Sequence, residues 1–146
     1  DTPVTLSGRI DRVDHYAETG RYTVIDYKTG TSGQYPARIT QKTNFRDILS
    51  IHEHVPSFQL PLYIHIFSNQ QGIPAGMVDA KLILLGGNNE ENFFKAKEET
   101  EKRSLYNAYM EGLETLISHM LDPDEPFTAF DTDRCMDCPA RNLCHM

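Results

Sequence analysis

The pattern of apolar and polar positions divides the chain into a few elements. Residues 4–13 and 21–27 are rich in Val, Ile, Thr and Tyr, and a Gly20-containing turn region separates them. They read as two neighbouring antiparallel strands. Thr-Gly-Thr-Ser-Gly after Lys28 ends the second. Residues 34–56 keep no clean period, although 45–51 suit a short helix. A connection this long predicts a flap beside a site rather than part of the core. Over 58–70, Leu62, Ile66 and their neighbours recur at helical spacing after Pro56, and Gly72 with Pro74 closes the helix. Residues 77–85 form a strongly apolar strand that belongs inside a sheet and ends at Gly86-Gly87-Asn88-Asn89. Residues 94–121, rich in Glu, Lys, Leu and Met, predict a long amphipathic helix stopped by Asp122-Pro123. The chain beyond Pro126 reads as loop, and no internal repeat interrupts this order.

Composition narrows the class. A chain of 146 residues is long enough for one domain with a real core and short for two. No apolar run approaches the roughly 20 residues that span a bilayer, so no membrane role is expected. Opening at Asp1, without an initiator Met or an apolar leader, suggests a piece of a longer polypeptide. The net charge of −7 is the opposite of the usual balance in a phosphate-binding surface. A hydrolase that holds cations in carboxylates weakens that objection. Three cysteines, all near the C-terminus, do not make a secreted disulfide framework and point to an intracellular, cytoplasmic setting and to metal.

The chemistry concentrates between Gly8 and Gly30. Gly-Arg-Ile-Asp at 8–11 puts a carboxylate, Asp11, on the first strand, and Asp-Tyr-Lys at 26–28 ends the second. Two-residue alternation sets Asp26 and Lys28 on one face, and pairing of the strands brings Asp11 near it. Two carboxylates aimed at one point repel unless a cation joins them, and such oxygen ligands suit Mg2+ or Mn2+. Lys28 would then neutralise charge on a phosphate under attack. Asp-x-Lys alone also describes an ordinary ion pair on an exposed strand.

The wider layout resembles the PD-(D/E)xK nucleases, specifically the nuclease domains of the RecB and AddB helicase-nucleases and related CRISPR-associated exonucleases. In that family Gly-x-Ile-Asp precedes an apolar strand ending in Asp-Tyr-Lys-Thr-Gly, present here at 26–30, and Gln-x-x-x-Tyr follows on a helix, present as Gln59 and Tyr63. The latter two side chains, four apart, share a helix face. The resemblance implies an α/β, restriction-endonuclease-like core, a mixed sheet flanked by helices, spanning 1–126, with 127–146 as a cysteine-containing tail of the same domain. It also implies that an N-terminal helix of the core lies before the chain as given. Its implied chemistry is hydrolysis of DNA phosphodiester bonds by a metal-activated water. Asp11, Asp26 and the Tyr27 carbonyl are the implied ligands, Lys28 the electrostatic catalyst, and Gln59 and Tyr63 position the site or the strand. Asp14 is also typical of the family and serves at most to orient its neighbours.

Cys135, Cys138 and Cys144 give a C-x2-C-x5-C spacing suited to one metal centre, with one coordination position open. In the AddB-like relatives such a triplet joins an upstream cysteine around a 4Fe-4S cluster. No cysteine precedes Cys135 here, so the fourth would lie outside the fragment. Zinc completed by His145, or three reduced thiols, are the alternatives. The implied setting is an exonuclease for recombinational DNA repair with a helicase-nuclease partner subunit. A CRISPR-associated exonuclease, or a DNA-binding scaffold that does not cut, are the rivals. His52-Glu53-His54 lacks metal-site spacing, Arg38, Lys42 and Arg46 read as solvated loop charges, and Gly86-Gly87 lacks the Lys-Ser/Thr of a phosphate loop.

Overall fold

A computed structural model of the chain describes residues 3–30, 43–87, 89–94 and 98–125. Its centre is a sheet of four strands, β1 (Arg12–Tyr16), β2 (Arg21–Lys28), β3 (Val78–Leu84) and β4 (Asn89–Asn92), in the order β1-β2-β3-β4. β1 runs antiparallel to β2, β2 parallel to β3, and β3 antiparallel to β4. A parallel pair needs a crossover connection. Here the crossover carries α1 (Ile48–His54), α2 (Gln59–Gln71) and a short 3-10 turn (Ala75–Met77), and α3 (Glu99–Leu121) follows β4. A mixed sheet with flanking helices is the α/β class expected from the pattern.

β3 alternates buried and half-buried along its length, and its inward residues Val78, Ala80, Leu82 and Leu84 are all but inaccessible. Val78, Ala80 and Leu82, together with Val24 of β2, form the floor on which α2 lays Leu60, Tyr63 and Ile64. Pro61 costs α2 nothing, because the first turn of a helix has no intrahelical acceptor for its N–H. Gly72, in the left-handed region at φ 64°, closes the helix, and the next amide, Ile73, donates to the Ser68 carbonyl. That is the hydrogen bond of a Schellman termination. No helix among the described residues is long and apolar enough to cross a membrane.

Four expectations change. β1 begins at Arg12, not at residue 4, and Val4 stands exposed. The physical reason lies across the strand pair: the Tyr27 amide of β2, which a continued ladder would offer to backbone, is taken by the Asp11 carboxylate instead. The strand ends before Gly86-Gly87 as expected, but Asn89 already belongs to a further short strand, β4, that the pattern did not mark. The long helix starts at Glu99, and Phe93 stays in front of it, buried against Tyr109 with ring centroids 5.0 Å apart.

The connection expected to be a flap contributes to the core over its described part. Phe45, Ile51 and Val55 are buried, and α1 is started by the Asp47 carboxylate accepting from the Leu49 amide at 3.0 Å. Residues 31–42, the rest of that connection, lie outside the described residues. Phe45 seats against Gly112 of α3 so closely that a Cβ there would stand 2.5 Å from Phe45 Cδ1. Alanine gains up to about 1 kcal/mol of helix propensity over glycine, but overpacking a filled core costs about 1–3 kcal/mol. Because Phe45 is a ring with nowhere to move, the second effect wins. Gly112→Ala is expected to lower stability by about 1–2 kcal/mol in urea melts, and an equal or higher midpoint would show that the contact yields.

Candidate functional site

At the C-terminal end of β2, alternation carries Asp26 and Lys28 onto the face covered by α2. Asp26 is 5% exposed. Its Oδ1 accepts from Gln59 Nε2 at 3.0 Å, and the same amide nitrogen lies 3.0 Å from the Tyr63 hydroxyl. Gln59 Oε1 accepts from Lys28 Nζ at 2.8 Å, and that ammonium stands 2.7 Å from Asp26 Oδ2. The four side chains thus form one closed network. Its chemistry dictates the amide orientation, since an ammonium only donates and a carboxylate only accepts.

Gln59 opens α2 and Tyr63 follows one turn later, which aims both at the strand end. Tyr63 is held in place from the other side by Gly8. A Cβ at Gly8 would stand 2.9 Å from Tyr63 Cε1 and 3.4 Å from Ile66 Cδ1. The glycine of Gly-Arg-Ile-Asp therefore permits a close approach to the ring that carries the network's last hydroxyl. Gly8→Ala is expected to lower several-fold the rate of any reaction that depends on this network, with a smaller effect on melting temperature, because the added methyl presses on the ring that carries the Tyr63 hydroxyl. An unaltered rate with an unaltered melting temperature would show the approach to be dispensable.

Asp11 sits just before β1. The last ladder pair is Arg12↔Ile25, and one step further the same antiparallel register sets Asp11 opposite Asp26. Asp11 Oδ2 accepts from the Tyr27 amide at 2.9 Å, which fixes its carboxylate beside the strand end. The chain brings Asp26, Lys28, Gln59 and Tyr63 into hydrogen-bond contact, and Asp11 joins them through the backbone of Tyr27. Cys135, Cys138 and Cys144 lie outside the described residues.

Pattern reading gave no role to Arg12. Its Nε and Nη2 grip the two oxygens of Asp14 at 2.6 and 3.0 Å, and Nη1 reaches the Tyr27 hydroxyl at 3.3 Å. These hydrogen bonds push the Arg12 pKa up from its ordinary value, Asp14 contributing most. The i, i+2 spacing of Arg12 and Asp14 was a visible signal that the two share a face. Of the basic residues in the connection, Arg46 is tied to Glu111 at 2.5 Å, which raises its pKa, while Arg38 and Lys42 lie outside the described residues.

A family model for the PD-(D/E)XK nuclease superfamily matches residues 1–145. The chain belongs to that superfamily. No curated protein and no solved structure matches it. The mixed sheet with three helices is consistent with the restriction-endonuclease-like core of PD-(D/E)XK proteins, whose members typically use divalent metals. Membership points to nuclease activity, with DNA as the binding partner.

The residues at the end of β2 fit such a cation. Asp26 Oδ2 is buried and faces the Lys28 ammonium at 2.7 Å. A carboxylate oxygen has more than one lone pair, so beside the ammonium it keeps room for a cation. Among the described residues no group of three or more His, Cys, Asp and Glu is placed to hold a metal. The carboxylates near this strand end are hard oxygen donors, which suit cations such as Mg2+ and Mn2+ rather than zinc.

Proposed function

We propose that this domain hydrolyses DNA phosphodiester bonds at the end of β2. Asp11, Asp26 and the Tyr27 carbonyl would hold Mg2+ or Mn2+. The observation that carries the reading is the closed Asp26, Lys28, Gln59 and Tyr63 network around the buried Asp26 carboxylate. When bound, the cation supplies charge stabilisation for the attacking and leaving oxygens.

The chain's own groups do the rest. Lys28, with its side chain 34% exposed, reaches from the buried carboxylate toward solvent. It is placed to hold the attacking water and to neutralise charge growing on the phosphate. Gln59 holds Lys28 and Asp26 at a fixed separation, so the ammonium is oriented before substrate arrives. Tyr63 anchors the Gln59 amide and so positions the network without touching the phosphate.

The finer identity is an exonuclease domain of a RecB/AddB-like helicase-nuclease in recombinational repair, working with a helicase-nuclease partner subunit. The order of Gly-Arg-Ile-Asp, Asp-Tyr-Lys-Thr-Gly and Gln-x-x-x-Tyr supports it. On this reading residues 127–146 are a tail of the nuclease domain, and Cys135, Cys138 and Cys144 supply three ligands of a 4Fe-4S cluster. The decisive experiment is digestion of labelled DNA with and without Mg2+, with Lys28→Ala and Asp26→Ala beside the unaltered protein. Cutting that needs Mg2+ and is lost in both variants is expected, and undiminished cutting by both would sink the reading. For the cysteines, an anaerobic preparation of the full-length protein without iron would count against the cluster.

A further inference from the structure

The strand that leads out of Asp11 is held by its ladder with β2 rather than by burial. Among the described residues β1 lies at the edge of the sheet, pairs only with β2, and has no buried residue: Val13 is 38% exposed and Tyr16 49%. Ordinary burial cannot fix such a strand to within the fraction of an ångström that a ligand set needs. The ladder also stops at Arg12↔Ile25, one residue short of the carboxylate.

What does act at that point is a fork of contacts around Tyr27. From one side the Tyr27 amide donates to Asp11 Oδ2 at 2.9 Å. From the other, Arg12, next in sequence to Asp11, donates to the Tyr27 hydroxyl at 3.3 Å while Asp14 holds the same guanidinium through both oxygens. Tyr27 is the diagonal cross-strand neighbour of Arg12, whose direct partner is Ile25. The planar guanidinium fits two acceptors at fixed angles, which an ammonium could not do.

We propose that Arg12, Asp14 and the Tyr27 side chain form a clamp that positions Asp11 against Asp26. None of the three side chains touches the reacting atoms in this role, so they are positioning residues. The proposal rests on the reading of Asp11 and Asp26 as cation ligands. As a contribution to stability the clamp is minor, because the Arg12 side chain is 54% exposed and solvent screens such a pair. Its effect lies in geometry. Groups that orient metal ligands from behind typically change metal affinity by about 10–100-fold when removed.

The test separates the clamp from the ligand reading. Amide hydrogen exchange followed by NMR in metal-free full chain is expected to speed up about tenfold or more at Tyr27 in Arg12→Gln and Asp14→Asn. The amides of Val24 and Ala80, deep in the sheet, are expected to stay as in the unaltered protein. Calorimetric titration with Mn2+ is expected to show about tenfold weaker binding in the same variants, and Tyr27→Phe, which removes only the hydroxyl, a smaller loss in the same direction. Unchanged Tyr27 exchange would overturn the clamp. So would a rise in KM for DNA with kcat and Mn2+ affinity intact, the signature of an arginine that binds phosphate. Asp26→Asn serves as the control for the reading beneath: unaltered Mn2+ binding there would remove the ligand assignment, whereas the exchange data would still judge the clamp.

Discussion

Lys28→Ala is expected to slow DNA hydrolysis by about 10²–10³-fold at saturating Mg2+, and Asp26→Asn to bring it to background. The first figure is the usual loss when one preorganised donor to a developing oxyanion is removed, about 2.7–4 kcal/mol of transition-state stabilisation. The second follows from position. Asp26 is the one carboxylate of the pair that is buried, and both Lys28 and Gln59 are held by it. Single-turnover rates on labelled DNA, with melting temperatures beside them, measure both.

Removing Lys28 also leaves Asp26 in the interior with only the Gln59 amide, a loss of about 1–3 kcal/mol. The lysine side chain is about a third exposed, which keeps the cost at the low end. Saturating Mg2+ should therefore stabilise Lys28→Ala more than it stabilises the unaltered protein, because the cation binds the folded site and replaces a missing positive charge. A Lys28→Ala protein that cuts at the original rate would remove the lysine from the mechanism.

Tyr109→Ala is expected to cost about 3–5 kcal/mol of folding stability, the range for deleting a fully buried aromatic ring. Tyr109 is completely inaccessible, and its ring meets Phe45, Phe58 and Phe93 at centroid distances of 5.6, 5.7 and 5.0 Å. Those three residues precede α1, precede α2 and follow β4, so one side chain of α3 ties together segments far apart in sequence. Urea unfolding should show a lower midpoint with little change in slope. Since none of these rings belongs to the Asp26 network, the rate per folded molecule should hold. A loss below about 1 kcal/mol would mean that the cluster repacks around the cavity.

The parts of the site legible in the sequence are those governed by local repeat. A strand turns every second side chain to one face, so Asp26 and Lys28 had to lie together, and a helix returns after about four residues, so Gln59 and Tyr63 had to share a side. The breaks were legible too: Gly72 stops α2 through a backbone conformation that glycine adopts freely. The motif order sufficed for the superfamily and for the class of chemistry.

What only the tertiary structure decided depends on partners distant in the chain. Nothing local in residues 4–13 says that the ladder ends at Arg12. That outcome arises because a side chain, Asp11, competes with backbone for the Tyr27 amide across the strand pair. Phe45, Ile51 and Val55 carry no period that marks them as core and join it through long-range packing, Phe45 against Tyr109 and Gly112 of α3. β4 exists because an edge of β3 was there to pair with. Periodicity thus determined which faces the chemical groups occupy, while long-range pairing and packing determined which groups meet: Lys28 with Gln59, Gly8 with Tyr63, and Arg12 with Tyr27.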